Sequence, residues 1–126
     1  MWAETYDLHS HSTHSDGEHP VGHVAKLMAD NGVLTWALTD HDTASGWAEA
    51  SNVAKANGMT FIPGVEITCT PAHAPMEEEL TRRERERASA SWHLLAYFPN
   101  HVPGENDENV ASFLEWLAPK QDGREP

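Results

Sequence analysis

Apolar and polar positions along the chain follow a strand–helix–strand–helix–strand order. Residues 2–9 (WAETYDLH) read as a strand with Tyr6 and Leu8 on its apolar side. Pro20 then opens a helix. Its Val21, Val24, Ala25 and Met28 fall at i, i+3, i+4 and i+7, one face of a 3.6-residue period. Asn31-Gly32 ends it with residues that tolerate left-handed geometry. Residues 33–39 (VLTWALT) form a short, mostly apolar run, the mark of a parallel strand covered on both faces. A second helix is predicted over 43–56, closed by Asn57-Gly58, and a third strand over 59–68, with a bend or bulge at Pro63-Gly64. The repeating unit is strand–helix, which argues for a parallel sheet or barrel.

Residues 71–90 break this rhythm. PAHAP is a loop signal, and MEEELTRRERERASA pairs Glu78 with Arg82 and Glu79 with Arg83 at i, i+4. The stretch reads as a solvated helix or mobile insertion, with an arginine clamp for phosphate as the sharper alternative. Residues 91–98 (SWHLLAYF) predict a fourth strand. A last helix is predicted over 107–118, stopped by Pro119 and followed by a disordered tail over 119–126.

Length and composition narrow the class. The 126 residues fit one domain, here 1–118, large enough for a core without staples. The one cysteine, Cys69, excludes a disulfide framework or a four-thiolate zinc site. No apolar run approaches the roughly 20 residues of a membrane helix, and nothing resembles a signal peptide, so the expected compartment is the cytoplasm. The net charge of −12 opposes binding to long nucleic acid or anionic membranes. Nine histidines in such a chain raise the question of metal.

The residues that carry chemistry sit where strands are predicted to end. In HSHSTHSDG (9–17), His9 and His11 are two apart, so alternation gives them one face, and the Ser15-Asp16-Gly17 turn can return a carboxylate to them. Thr39-Asp40-His41-Asp42 closes the second strand. Glu66 lies between Val65 and Ile67 in the third, and His93 opens the fourth among Trp92, Leu94 and Leu95. An ionisable group in an apolar strand is costly unless paired or metal-bound. Four successive strands each presenting one favour a shared cation, and imidazole with carboxylate suits Mn²⁺, Zn²⁺ or Fe²⁺. Asp40 and Asp42 either orient the imidazoles or cap the following helix. His14, His19, His23, His73 and His101 are expected to face solvent, and Trp47 and Trp92 to pack in the core.

HSHSTHSDG, TDHDT (39–43), PGVEIT (63–68) and HLLAY (93–97), in this order, closely resemble the motifs of the PHP (polymerase and histidinol phosphatase) family. The likeness is to its stand-alone phosphoesterase branch and covers about residues 5–98. It implies an α/β fold: the N-terminal portion of a distorted (β/α)₇ barrel, with about four parallel strands and covering helices. It also implies two or three divalent ions at the C-terminal ends of the strands. Carried over, His9 and His11 match ligands of a first ion, Glu66 a bridge to a second, His93 a ligand of the second, and Asp16 and His41 ligands of a third. Asp16, His41 and Glu66 are the candidate catalytic residues. The implied activity is hydrolysis of a phosphate ester, in a nucleotide or short oligonucleotide, by a metal-activated hydroxide. A related (β/α)₈ barrel takes roughly 200–250 residues. No Asp-x-His follows His93, although the resemblance implies a later pair. The barrel is therefore expected to be incomplete here. The favoured reading is a fragment of the full enzyme; the alternatives are a barrel completed by a second copy or second chain, and a degenerate metal-binding and regulatory module.

Overall fold

A computed structural model of the chain describes residues 5–69 and 92–122. The charged stretch 71–90 lies outside the described residues. Four strands form one sheet in the order β1-β2-β3-β4: β1 (Tyr6–Asp7), β2 (Thr35–Leu38), β3 (Thr60–Cys69) and β4 (Trp92–Tyr97). The helices are α1 (Val21–Asp30), α2 (Trp47–Ala56) and α3 (Glu108–Asp122).

The expected apolar stripe of α1 is the one buried. Val21, Val24 and Ala25 join Trp36 and Leu38 of β2 and Ala50 and Ala54 of α2 in a first core. Both α1 and α2 end at Asn-Gly, and Gly32 and Gly58 adopt positive φ of 79° and 71°, which a side chain would disfavour. A second core gathers Trp47, Val65 and Ile67 against Val110 and Leu117 of α3. Val65 and Ile67 thus face the helices, and alternation turns Glu66 to the opposite, inner face of the sheet.

Several expectations need correction. Among the described residues of the strand predicted over 2–9, pairing is confined to Tyr6–Asp7, so His9 and His11 lie beyond it in irregular backbone. Pro63-Gly64 does not interrupt β3. It marks a change of partner: Thr60–Pro63 pair with β2 in parallel, and Gly64–Cys69 pair with β4. Helix α3 does not stop at Pro119 but continues to Asp122. The bond forfeited by Pro119 belongs to the carbonyl of Glu115, an exposed residue whose backbone water can satisfy.

The α/β class holds, but β4 runs antiparallel to β3, not parallel. An antiparallel neighbour needs no crossover helix. Its direction matters for the site. A parallel β4 would leave His93, at its start, on the opposite rim from the other donors. Running antiparallel, β4 pairs His93 with Thr68 near the C-terminal end of β3.

Candidate metal centre

The loop after β1 carries three of the six predicted donors and is built by its own sequence. Ser15 and Gly17 donate backbone N–H groups to the Ser12 carbonyl at 3.1 and 2.9 Å, folding residues 12–17 back on themselves. Gly17 is needed here: a Cβ would sit 2.6 Å from the His11 carbonyl. The fold-back sets Asp16 beside His11, with Nδ1 and Oδ1 2.7 Å apart.

Asp40 holds this loop to the sheet. Its carboxylate, 2% exposed, accepts from the Ser12 N–H at 2.6 Å, the Ser12 hydroxyl at 2.7 Å and the Ser15 hydroxyl at 2.7 Å. Neither expected role is observed for it. It bonds serines rather than imidazoles, and α2 begins after Gly46 with no side-chain cap. Asp42 accepts from the Thr68 N–H at 2.8 Å. Its φ of 54° is left-handed, a conformation aspartate tolerates better than most residues. Between the two, His41 forms a bridge with Glu66: Asp42 N–H donates to the Glu66 carbonyl and Glu66 N–H to that of Asp40.

Glu66 is the hub. Its residue exposure is 6%, yet four imidazoles crowd its carboxylate. His9 Nε2 lies 2.5 Å and His11 Nε2 3.4 Å from Oε1; His41 Nδ1 lies 3.1 Å and His93 Nδ1 3.2 Å from Oε2. The other nitrogen of His41 is 3.1 Å from Asp16 Oδ2. All six predicted donors therefore meet in one cluster. Three groups within it bring their ligand atoms within 4.8 Å of one another: His9, His11 and Glu66; His11, Asp16 and His41; His41, Glu66 and His93. His9, Asp16 and His93 remain open to solvent, so the cluster has a dry inner end at Glu66 and a reachable outer end.

The donors fit a cation better than they fit each other. His11 Nε2 and His41 Nδ1 are buried without a hydrogen bond although Glu66 oxygens lie 3.4 and 3.1 Å away, because the contacts are poorly aligned. Buried nitrogens are rarely left unpaired without reason. Two converging nitrogens beside a buried carboxylate are what a divalent ion needs. At Asp16, burial opposes ionisation, but the His11 hydrogen bond and the nearby His41 and His11 charges outweigh it, and the carboxyl lies below its ordinary range.

Two further residues belong to the setting and are not legible as such in the sequence. His14 is exposed, as expected, but its Nδ1 lies 2.7 Å from the Ser45 hydroxyl, a second tie between the loop and the start of α2. Tyr97 crosses the inner face: its hydroxyl donates to the Leu8 carbonyl at 2.5 Å. Burial, with Asp7 and Glu66 nearby, raises the Tyr97 pKa, which keeps the hydroxyl a donor. His101, expected in solvent, instead buries its ring against Trp47 at 5.9 Å between centroids. Trp47 is in the core, whereas Trp92 is 61% exposed among the described residues. A cavity of about 280 Å³ between α2, α3 and the 101–107 loop contains none of the six donors. No described helix is long and apolar enough to cross a membrane.

Several known proteins resemble this chain. It is 32% identical over 121 residues to the 5'-3' exoribonuclease Rnm of Salmonella typhimurium, a match covering 82% of this chain and 41% of that protein. It is 42% identical over 62 residues to a 3',5'-nucleoside bisphosphate phosphatase of Chromobacterium violaceum, covering 49% of this chain and 22% of that one. Among solved structures, an amidohydrolase from Chromobacterium violaceum with bound sulfate and no metal superposes with a TM-score of 0.63. Its sequence identity is 28%, and the match covers 89% of this chain and 32% of that one. The chain spans between about a fifth and two fifths of the length of these relatives. The model of the PHP domain matches residues 7–120, nearly the whole sequence, and the chain belongs to the PHP domain family.

Proposed function

We propose that this chain holds divalent metal ions in a phosphoesterase that hydrolyses a phosphate ester of a nucleotide or short oligonucleotide. The observation that carries the reading is the convergence of four imidazoles on the buried carboxylate of Glu66, with two imidazole nitrogens left without hydrogen bonds. His9 and His11 with Glu66, His41 and His93 with Glu66, and His11 and His41 with Asp16 would hold two or three ions. Mn²⁺, Zn²⁺ and Fe²⁺ all suit this donor set. Such ions supply Lewis acidity toward phosphoryl oxygens and make water a competent nucleophile near neutral pH.

The protein's own groups do the rest. Glu66 and Asp16 provide the anionic charge that retains the ions; at Asp16 the hydrogen bond to His11 lowers the carboxyl's pKa against the opposing effect of burial. Asp40, Ser12 and Ser15 fix the loop, so the imidazoles converge before substrate arrives rather than at its expense. The exposed side at His9, Asp16 and His93 is where a phosphate can approach. Relatives named as an exoribonuclease, a nucleoside bisphosphate phosphatase and a phosphoribosyl cyclic phosphate diphosphodiesterase support a phosphorylated substrate. Bound ions also reconcile an acidic chain with an anionic substrate, since they invert the local charge. Long nucleic acid is disfavoured, because the chain's net charge repels it beyond the site. The cytoplasm remains our proposed compartment.

Hydrolysis of p-nitrophenyl phosphate and of a 3′,5′-bisphosphonucleotide, measured with and without Mn²⁺, tests the reading. We expect turnover that chelation abolishes and that His9→Ala lowers at least about 100-fold, since even an outer partner of a ligand is worth 10–100-fold. Turnover surviving both treatments would defeat the proposal. Metal binding without turnover would favour the second reading, a non-catalytic metal-binding module.

A further inference from the structure

Strands β1 and β4 are the two edges of the sheet, three strand intervals apart. In a flat sheet those intervals amount to about 14 Å, further than a tyrosine side chain reaches. Yet the Tyr97 hydroxyl on β4 donates to the carbonyl of Leu8, immediately after β1, 89 positions earlier in the chain. The sheet must therefore curl, and this bond ties its edges across the inner face.

The route of the ring is specific. Tyr97 lies opposite Gly64 in the register, and a Cβ at Gly64 would stand 3.1 Å from Tyr97 Cδ1 and 2.9 Å from Thr39 Cγ2. Glycine at this position is what lets the ring lie across β3. The carbonyl it reaches belongs to the peptide group whose N–H is that of His9, and that N–H donates to Asp7 Oδ1 at 3.2 Å. Both polar ends of the peptide leading into His9 are thus held, one from β1 and one from β4. On β4 itself, His93 and Tyr97 are four residues apart and share the inner face. A single hydroxyl therefore couples the strand bearing His93 to the segment bearing His9, the two donors that approach opposite oxygens of Glu66.

We propose that Tyr97 is a positioning residue for the metal centre: its hydroxyl sets the separation of His9 from His93 across Glu66 by closing the curl of the sheet. The proposal rests on the metal-binding reading given above. It assigns Tyr97 no contact with substrate. The edge-to-edge bond adds little to the core, which lies on the other face of the sheet.

Titration of the full chain with Mn²⁺ and Co²⁺, by calorimetry and by the visible absorption of bound Co²⁺, tests it in Tyr97→Phe. Metal-free thermal unfolding is followed in parallel. The variant should bind about tenfold more weakly and give an altered Co²⁺ spectrum, the scale seen when an outer partner of a ligand is lost. Val24→Ala, a truncation in the distant first core, serves as a control that lowers stability alone. Wild-type affinity and spectrum in Tyr97→Phe would overturn the proposal, as would an equal loss of affinity in Val24→Ala. A wild-type chain that binds neither ion would contradict the metal-binding reading itself. A wild-type chain that binds both, with Tyr97→Phe unchanged, would contradict only the role of Tyr97.

Discussion

Glu66→Gln is expected to leave a folded protein that no longer retains divalent ions, with affinity lower by more than about 100-fold and phosphoesterase turnover lost with it. The reasoning is geometric and electrostatic. Glu66 is the one carboxylate common to two of the three donor groups, and four imidazoles approach it. Glutamine keeps the shape and one acceptor oxygen but removes the charge that balances the cations. Loss of an outer partner costs 10–100-fold, so loss of a shared anionic ligand exceeds that. The backbone bonds of Glu66 to Asp40 and Asp42 do not involve its side chain, so β3 keeps its register. Metal content after dialysis, compared with wild type, reads the effect, and circular dichroism confirms the fold. Retention of wild-type metal content would show that Glu66 is a structural carboxylate only.

The second large effect is expected at Asp40. Asp40→Ala removes the acceptor of three donors: the Ser12 N–H, the Ser12 hydroxyl and the Ser15 hydroxyl. A hydrogen bond to a buried charge contributes about 1.5–3 kcal/mol, and an unsatisfied buried donor costs a comparable amount. The three bonds share one acceptor and do not add independently, so the expected loss is about 3–5 kcal/mol, a large share of the roughly 5–15 kcal/mol that holds a typical domain together. Urea unfolding measures it as a lower midpoint. Metal affinity should fall in the same variant, because His11 and Asp16 ride on the loop that Asp40 anchors. Asp40→Asn keeps one acceptor and should lose less than half as much. An Asp40→Ala protein as stable as wild type would mean the loop is held by its internal turn alone.

Much of this site is legible in the sequence, for a physical reason. Metal donors must be imidazoles and carboxylates, and His9, His11, Asp16, His41, Glu66 and His93 stand out because their neighbours are small, turn-forming or apolar. The helix ends are legible too, since the glycines of Asn31-Gly32 and Asn57-Gly58 meet a positive-φ requirement by having no side chain. What the sequence withholds is direction and distance. The pattern of WHLLAY predicts a strand but contains nothing that orients it, and only its pairing with β3 makes it antiparallel. The role of Asp40 is hidden because its partners are hydroxyls 28 and 25 residues away rather than the adjacent His41. A signal is available in the two serines of the first motif, which need a buried acceptor. Tyr97 gives no such signal, because its partner is a backbone carbonyl and any residue supplies one. The burial of His101 is hidden because a loop rich in Pro, Gly and Asn reads as solvent, whereas Trp47 supplies a wall for its ring.

The account depends on the six side chains converging because cations belong among them. Anomalous diffraction from crystals grown with Mn²⁺ measures this directly. The expected result is two or three peaks, each within bonding distance of one of the groups His9–His11–Glu66, His41–Glu66–His93 and His11–Asp16–His41, with a peak on each side of the Glu66 carboxylate. No peak at the cluster at millimolar Mn²⁺, with Glu66 still enclosed by the four imidazoles, would contradict it.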